Sequence, residues 1–94
     1  MISGKSAIVT GASKGIGLEI VRLLLANDVK VAGWSRSTPK IDHPDFHYFE
    51  VDVADQSAVN KAYNDTVNTI GDVTILVNNA GYGVFGPLDE IAEE

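Results

Sequence analysis

The chain alternates short apolar runs with longer stretches of helical period. Residues 5–10 contain Ala7-Ile8-Val9, a continuous apolar run of the kind that makes a buried strand. From Gly15 onward, Ile16, Ile20, Leu23 and Leu24 recur at the spacing of one helix face, with Val21 and Leu25 widening it. Glu19 and Arg22 fall on the other side, and Asn27-Asp28 ends the helix. Residues 29–34 read as a second strand, with Ser35 and Arg36 at its C-terminal end. Pro39 and Pro44 push their preceding residues away from helix, so 37–45 reads as a loop where a crossover helix normally stands. Residues 46–51 give a third strand.

Asp55 is placed to cap a helix over 55–70, in which Val59, Ala62, Tyr63, Val67 and Ile70 keep helical spacing and Gly71 supplies the stop. The apolar, β-branched run 73–77 predicts a fourth strand buried on both faces. Asn78-Asn79-Ala80-Gly81 closes it. A loop with Gly83, Gly86 and Pro87 follows, and 88–94 reads as the start of a helix. Right-handed crossovers then predict an α/β fold with a parallel sheet in the order 3-2-1-4 and helices on both faces. Ligand is expected where the strand order reverses, at the C-terminal ends of strands one and four.

That point carries a glycine-rich turn, Thr10-Gly11-Ala12-Ser13-Lys14-Gly15-Ile16-Gly17, between a strand and a helix. Glycines there let backbone approach a pyrophosphate, and the helix start turns free N–H groups and its positive dipole end toward it. Arg36, Asp52 and Asn79 are expected to converge on the same place.

Composition narrows the function classes. Ninety-four residues make a single domain, 1–94, with a thin core. No run of residues is long and apolar enough to span a membrane, and no export signal precedes the first strand, so a cytoplasmic location is expected. The absence of cysteine excludes disulfides and thiolate metal sites. A net charge of −6 argues against nucleic acid and anionic membrane as partners. Asp89, Glu90, Glu93 and Glu94 read as favourable charges at a helix start. His43 and His47 stand four apart around Pro44, and an extended proline-containing loop does not provide the rigid facing geometry a metal needs.

Taken together, the turn 10–17, Asp52-Val53 after the third strand and Asn78-Asn79-Ala80-Gly81 after the fourth resemble the short-chain dehydrogenase/reductase family, over the whole chain. The resemblance implies a partial Rossmann fold and a nicotinamide dinucleotide as cofactor. It implies that Gly11, Ser13, Lys14, Gly15, Ile16 and Gly17 line the pyrophosphate and adenosine ribose, and that Asp52 and Val53 flank the adenine. Asn79, with Ala80 and Gly81, would lie near the nicotinamide-side ribose, its backbone holding strand four to its neighbour. Tyr82, Val84 and Phe85 stand where the family begins its substrate pocket.

Charge points to the cofactor type. An acid about twenty residues past the glycines would bind the ribose 2′-hydroxyl of NAD. Ser35 occupies that position, followed by Arg36, and Lys14 lies in the turn. Two cations attract a 2′-phosphate, which favours NADP(H) over NAD(H).

The family's chemistry is hydride transfer between nicotinamide and a carbonyl or alcohol, assisted by a tyrosine, a lysine four residues later and a serine. Tyr48, Tyr63 and Tyr82 are followed at that spacing by Asp52, Val67 and Gly86, so no catalytic residue carries over. The chain therefore reads as the cofactor-binding half of an oxidoreductase, cut short. An uncharged edge at strand four predicts a homo-oligomer or a complementing C-terminal half. The rival expectation is a non-catalytic nucleotide-binding or self-associating module. A nucleotide-sugar epimerase is disfavoured by the glycine spacing and by Asn78-Asn79-Ala80-Gly81.

Overall fold

A computed structural model describes residues 2–79. The order of elements is β1 (Ser6–Thr10), α1 (Gly15–Ala26), β2 (Lys30–Ser35), β3 (Phe46–Glu50), α2 (Gln56–Ile70) and β4 (Ile75–Val77). All strand pairs are parallel and the sheet order is β3-β2-β1-β4, as the crossover rule predicts. Ile8 lies opposite Ala32 on one side and Leu76 on the other, so β1 is the central axis.

Side chains alternate across this sheet and divide the core in two. Ile8, Ala32, Trp34 and Val51 pack with Val59, Ala62 and Ile70 of α2. Ala7, Val9, Val29 and Val31 pack with Val21, Leu24 and Leu25 of α1 on the opposite face. β1 is buried along its whole length, as its continuous apolar run requires.

Helix α1 sits about one residue out of phase with its apolar stripe. Its buried face is Gly17, Val21, Leu24 and Leu25, while Ile16 and Leu23 are 71% and 64% exposed. The phase is set at Gly17, because a Cβ there would collide with the Gly11 carbonyl oxygen. Only glycine lets the helix start lie this close to the turn. The apolar arc is wider than the sheet beneath it, and its outer edge faces outward.

Helix α2 starts as expected. The Asp55 carboxylate accepts from the Ala58 N–H at 3.2 Å, and Gly71, at φ +86°, closes the other end. Thr66 is fully buried, and its hydroxyl accepts from the indole N–H of Trp34 at 3.1 Å. Ser6 at the start of β1 donates to the Ile70 carbonyl at 2.9 Å, tying the end of α2 to the central strand.

No helix forms between β2 and β3. Residues 36–45 form a loop that bends at 36–37 and turns at 44–45, with Pro39 buried and Ile41 packed on the α1 side of the core. Strand β4 differs from expectation. It pairs over three residues only, all half-buried, because among the described residues β1 is its only strand neighbour. Among the same residues no helix is long and apolar enough to cross a membrane.

Candidate functional site

In a parallel sheet every strand ends at the same edge, so Thr10, Ser35, Glu50 and Val77 all deliver the chain to one side. With strands about 4.8 Å apart, the residues after β3 stand about 10 Å from the glycine turn.

The turn itself is shaped by Gly11 and Gly15, at φ +62° and +61°. A Cβ on Gly15 would meet nothing within 4 Å, so that glycine answers to the backbone and leaves open space in front of the helix. Lys14 at the N-cap is extended and makes no side-chain cap, unlike Asp55 on α2. The first helical bond there is Leu18 N–H to the Lys14 carbonyl at 3.4 Å. An uncapped helix start presents free N–H groups and about half a positive charge.

One side of the crevice is β4. The Asn79 backbone N–H donates to Thr10 Oγ1 at 2.8 Å, and that oxygen lies 3.4 Å from the Val77 carbonyl and from Asn78 Oδ1. The Asn79 side-chain amide donates to the Gly11 carbonyl at 3.4 Å. Asn79 thus holds the ends of β1 and β4 together where the strand order reverses.

The other side is the end of β2. Ser35 is buried, and its hydroxyl donates to the Ser37 carbonyl at 2.6 Å. Ser37 in turn reaches Ser13 of the turn, hydroxyl to hydroxyl at 3.2 Å. Lys14 and Arg36, each adjacent in sequence to one of these serines, are exposed. Beyond them, Asp52 accepts from the Ala54 N–H at 3.0 Å and leads into α2, while Val53 packs on the α2 side of the core. The structure therefore gathers Gly11, Ser13, Lys14, Gly15, Gly17, Ser35, Arg36 and Asn79 around the glycine turn at the C-terminal edge of the sheet, with Ile16 on the exposed edge of α1 and Asp52 and Val53 one strand further out. Ala80, Gly81, the tyrosine-containing loop 82–87 and the helix expected at 88–94 lie outside the described residues.

The family model of short chain dehydrogenases matches residues 5–94. The chain belongs to this family. Bos taurus L-xylulose reductase is 36% identical over 99% of the chain and 38% of its own length. A probable short-chain type dehydrogenase/reductase of Helicobacter pylori, VdlC, is 34% identical over 94% of the chain and 35% of its own length. Among solved structures, ligand-free aldohexose dehydrogenase of Thermoplasma acidophilum superposes with a TM-score of 0.79 at 32% identity, over 85% of this chain and 31% of that one. A Leptospira borgpetersenii short chain dehydrogenase with bound NAD+ shares the fold, with a TM-score of 0.74 at 23% identity over 82% of this chain and 31% of that one. The chain thus spans about a third of the length of these relatives.

Several residues that build this short-chain dehydrogenase crevice carry no sequence signal of their own. Ser37 and Tyr48 belong to no motif, yet Ser37 bridges to the turn, and the Tyr48 hydroxyl donates to the Ser35 carbonyl at 3.1 Å. Thr10 opens the glycine motif, and its hydroxyl proves to be the anchor for Asn79.

Proposed function

We propose that the chain is the cofactor-binding portion of an NADP(H)-dependent short-chain dehydrogenase/reductase. The observation that carries this reading is the uncapped start of α1, opened by Gly11 and Gly15 and flanked by exposed Lys14 and Arg36. Backbone N–H groups from the turn hold the pyrophosphate, with Ser13 and Ile16 beside it. Asn79 shapes the nicotinamide side, with Ala80 and Gly81 following it. Asp52 and Val53 flank the adenine. The cofactor, when bound, supplies or accepts a hydride for a carbonyl or alcohol substrate.

The preference for a 2′-phosphate rests on the end of β2. The chain itself puts Ser35 and Arg36, not an acid, at the end of β2, and the Ser35 hydroxyl is turned back onto the Ser37 carbonyl. Lys14 and Arg36 then present two cations, of which Arg can bind phosphate bidentately.

Further protein of the same fold, supplying the tyrosine, lysine and serine of the reaction, belongs to this reading. Its support is the side of β4 that has no strand neighbour among the described residues, the exposed Leu23, and the greater length of the relatives. The test is a fluorescence titration of the chain with NADPH and with NADH. Tighter binding of NADPH supports the reading, and equal binding removes the NADP(H) assignment. Binding of neither at millimolar concentration removes the half-site.

A further inference from the structure

Four hydroxyl groups run from β3 to the glycine turn. Tyr48 donates to the Ser35 carbonyl, which also accepts the Val51 N–H at 3.0 Å. The Ser35 hydroxyl holds the Ser37 carbonyl, and the Ser37 hydroxyl meets that of Ser13. The two loops joined by the last contact are those that carry Arg36 and Lys14. Among the described residues neither cation forms an ion pair, whereas Arg22 and Lys61 each do.

Held on adjoining loops and without an ion-pair partner among the described residues, two cations gain from a shared anion. The outermost link, between Ser37 and Ser13, is exposed, and the core lies elsewhere, so the sheet does not depend on it. We propose that Ser37 and Tyr48 are positioning residues for a phosphate monoester, locking the Arg36 loop onto the Lys14 turn so that both cations face one dianion. This rests on the NADP(H) reading above and adds to it which side chains set the spacing of the clamp. Lys14 and Arg36 supply the charge; Ser37 and Tyr48 supply the pre-organisation, which removes the ordering cost of binding.

The test measures NADPH and NADH dissociation constants for the unaltered chain and for Ser37→Ala, Ser37→Thr and Tyr48→Phe. Adenosine 2′-monophosphate and 5′-monophosphate serve as probes that separate the 2′-phosphate from any other phosphate. Ser37→Ala is expected to weaken NADPH and the 2′-monophosphate about fivefold, the factor supplied by one net hydrogen bond. NADH and the 5′-monophosphate stay within about twofold, the change expected where the lost bond serves only the 2′-phosphate. Ser37→Thr, which keeps the hydroxyl, restores the preference, and Tyr48→Phe lowers it in the same direction by less. An unchanged NADPH-to-NADH ratio in both Ser37→Ala and Tyr48→Phe overturns the positioning role while the NADP(H) reading stands. An unaltered chain that shows no preference overturns both.

Discussion

The side-chain amide of Asn79 stands where a substituent on Gly17 would go: a Cβ there would lie 2.6 Å from Asn79 Nδ2 and collide with the Gly11 carbonyl oxygen. Three parts of the chain meet at this point: the turn, the helix start and the end of β4. Gly17→Ala forces backbone apart, since a carbonyl cannot swing aside as a long side chain can. The expected loss is about 3 kcal/mol, at the upper end for an overpacked interior. Gly15→Ala meets open space and suffers only the left-handed backbone, about 1 kcal/mol. Urea midpoints of the two variants should fall in that order, and the reverse order would contradict the described turn.

Lys14→Ala and Arg36→Ala should each weaken NADPH about tenfold, as expected for a charge-assisted hydrogen bond. NADH should be almost unaffected. Raising the salt concentration should shrink the difference, because both side chains are exposed. Equal losses for the two nucleotides would place these cations on the pyrophosphate instead.

Thr66→Val keeps the volume of a buried side chain and removes the acceptor of the Trp34 N–H. An unpaired buried donor costs about 1–3 kcal/mol, whereas Thr66→Ser keeps the bond and loses only a methyl group. Thermal melts by circular dichroism should therefore rank Thr66→Val below Thr66→Ser.

Leu23→Glu should leave the stability of the isolated chain within about 0.5 kcal/mol, since Leu23 is 64% exposed. If this edge of α1 is covered by further protein, the same substitution abolishes that association. Sedimentation of the two forms at rising concentration reads the difference, and an unchanged distribution would remove α1 from the covered surface.

Much of this fold is legible in the residues. Asp55 and Gly71 bound α2 because capping and stopping are local chemistry, and the prolines at 39 and 44 rule out a crossover helix in the same way. The sheet order follows from crossover handedness once four strands are recognised. What periodicity does not convey is phase where a small residue sets it. Ile16 counts as core in an apolar pattern and Gly17 does not, yet steric contact at Gly17 turns Ile16 outward. The length of β4 is similarly hidden, since pairing depends on β1 as well as on apolar character. At the candidate site the glycines and Asn79 could be singled out through their motifs. Ser37 and Tyr48 could not, nor could Thr66 in the core, because each hydroxyl's partner lies more than ten residues away and leaves no local trace.

Trp34, the single tryptophan of the chain, has an optical consequence. It is sealed from solvent in the α2 half of the core, with its N–H held by a helix hydroxyl. Its emission should lie to the blue in the native chain and move to the red when α2 leaves the sheet, so the protein carries its own label for that one event. Lifting α1, on the opposite face, should leave the colour unchanged, and the two halves of the core can then be followed separately during unfolding.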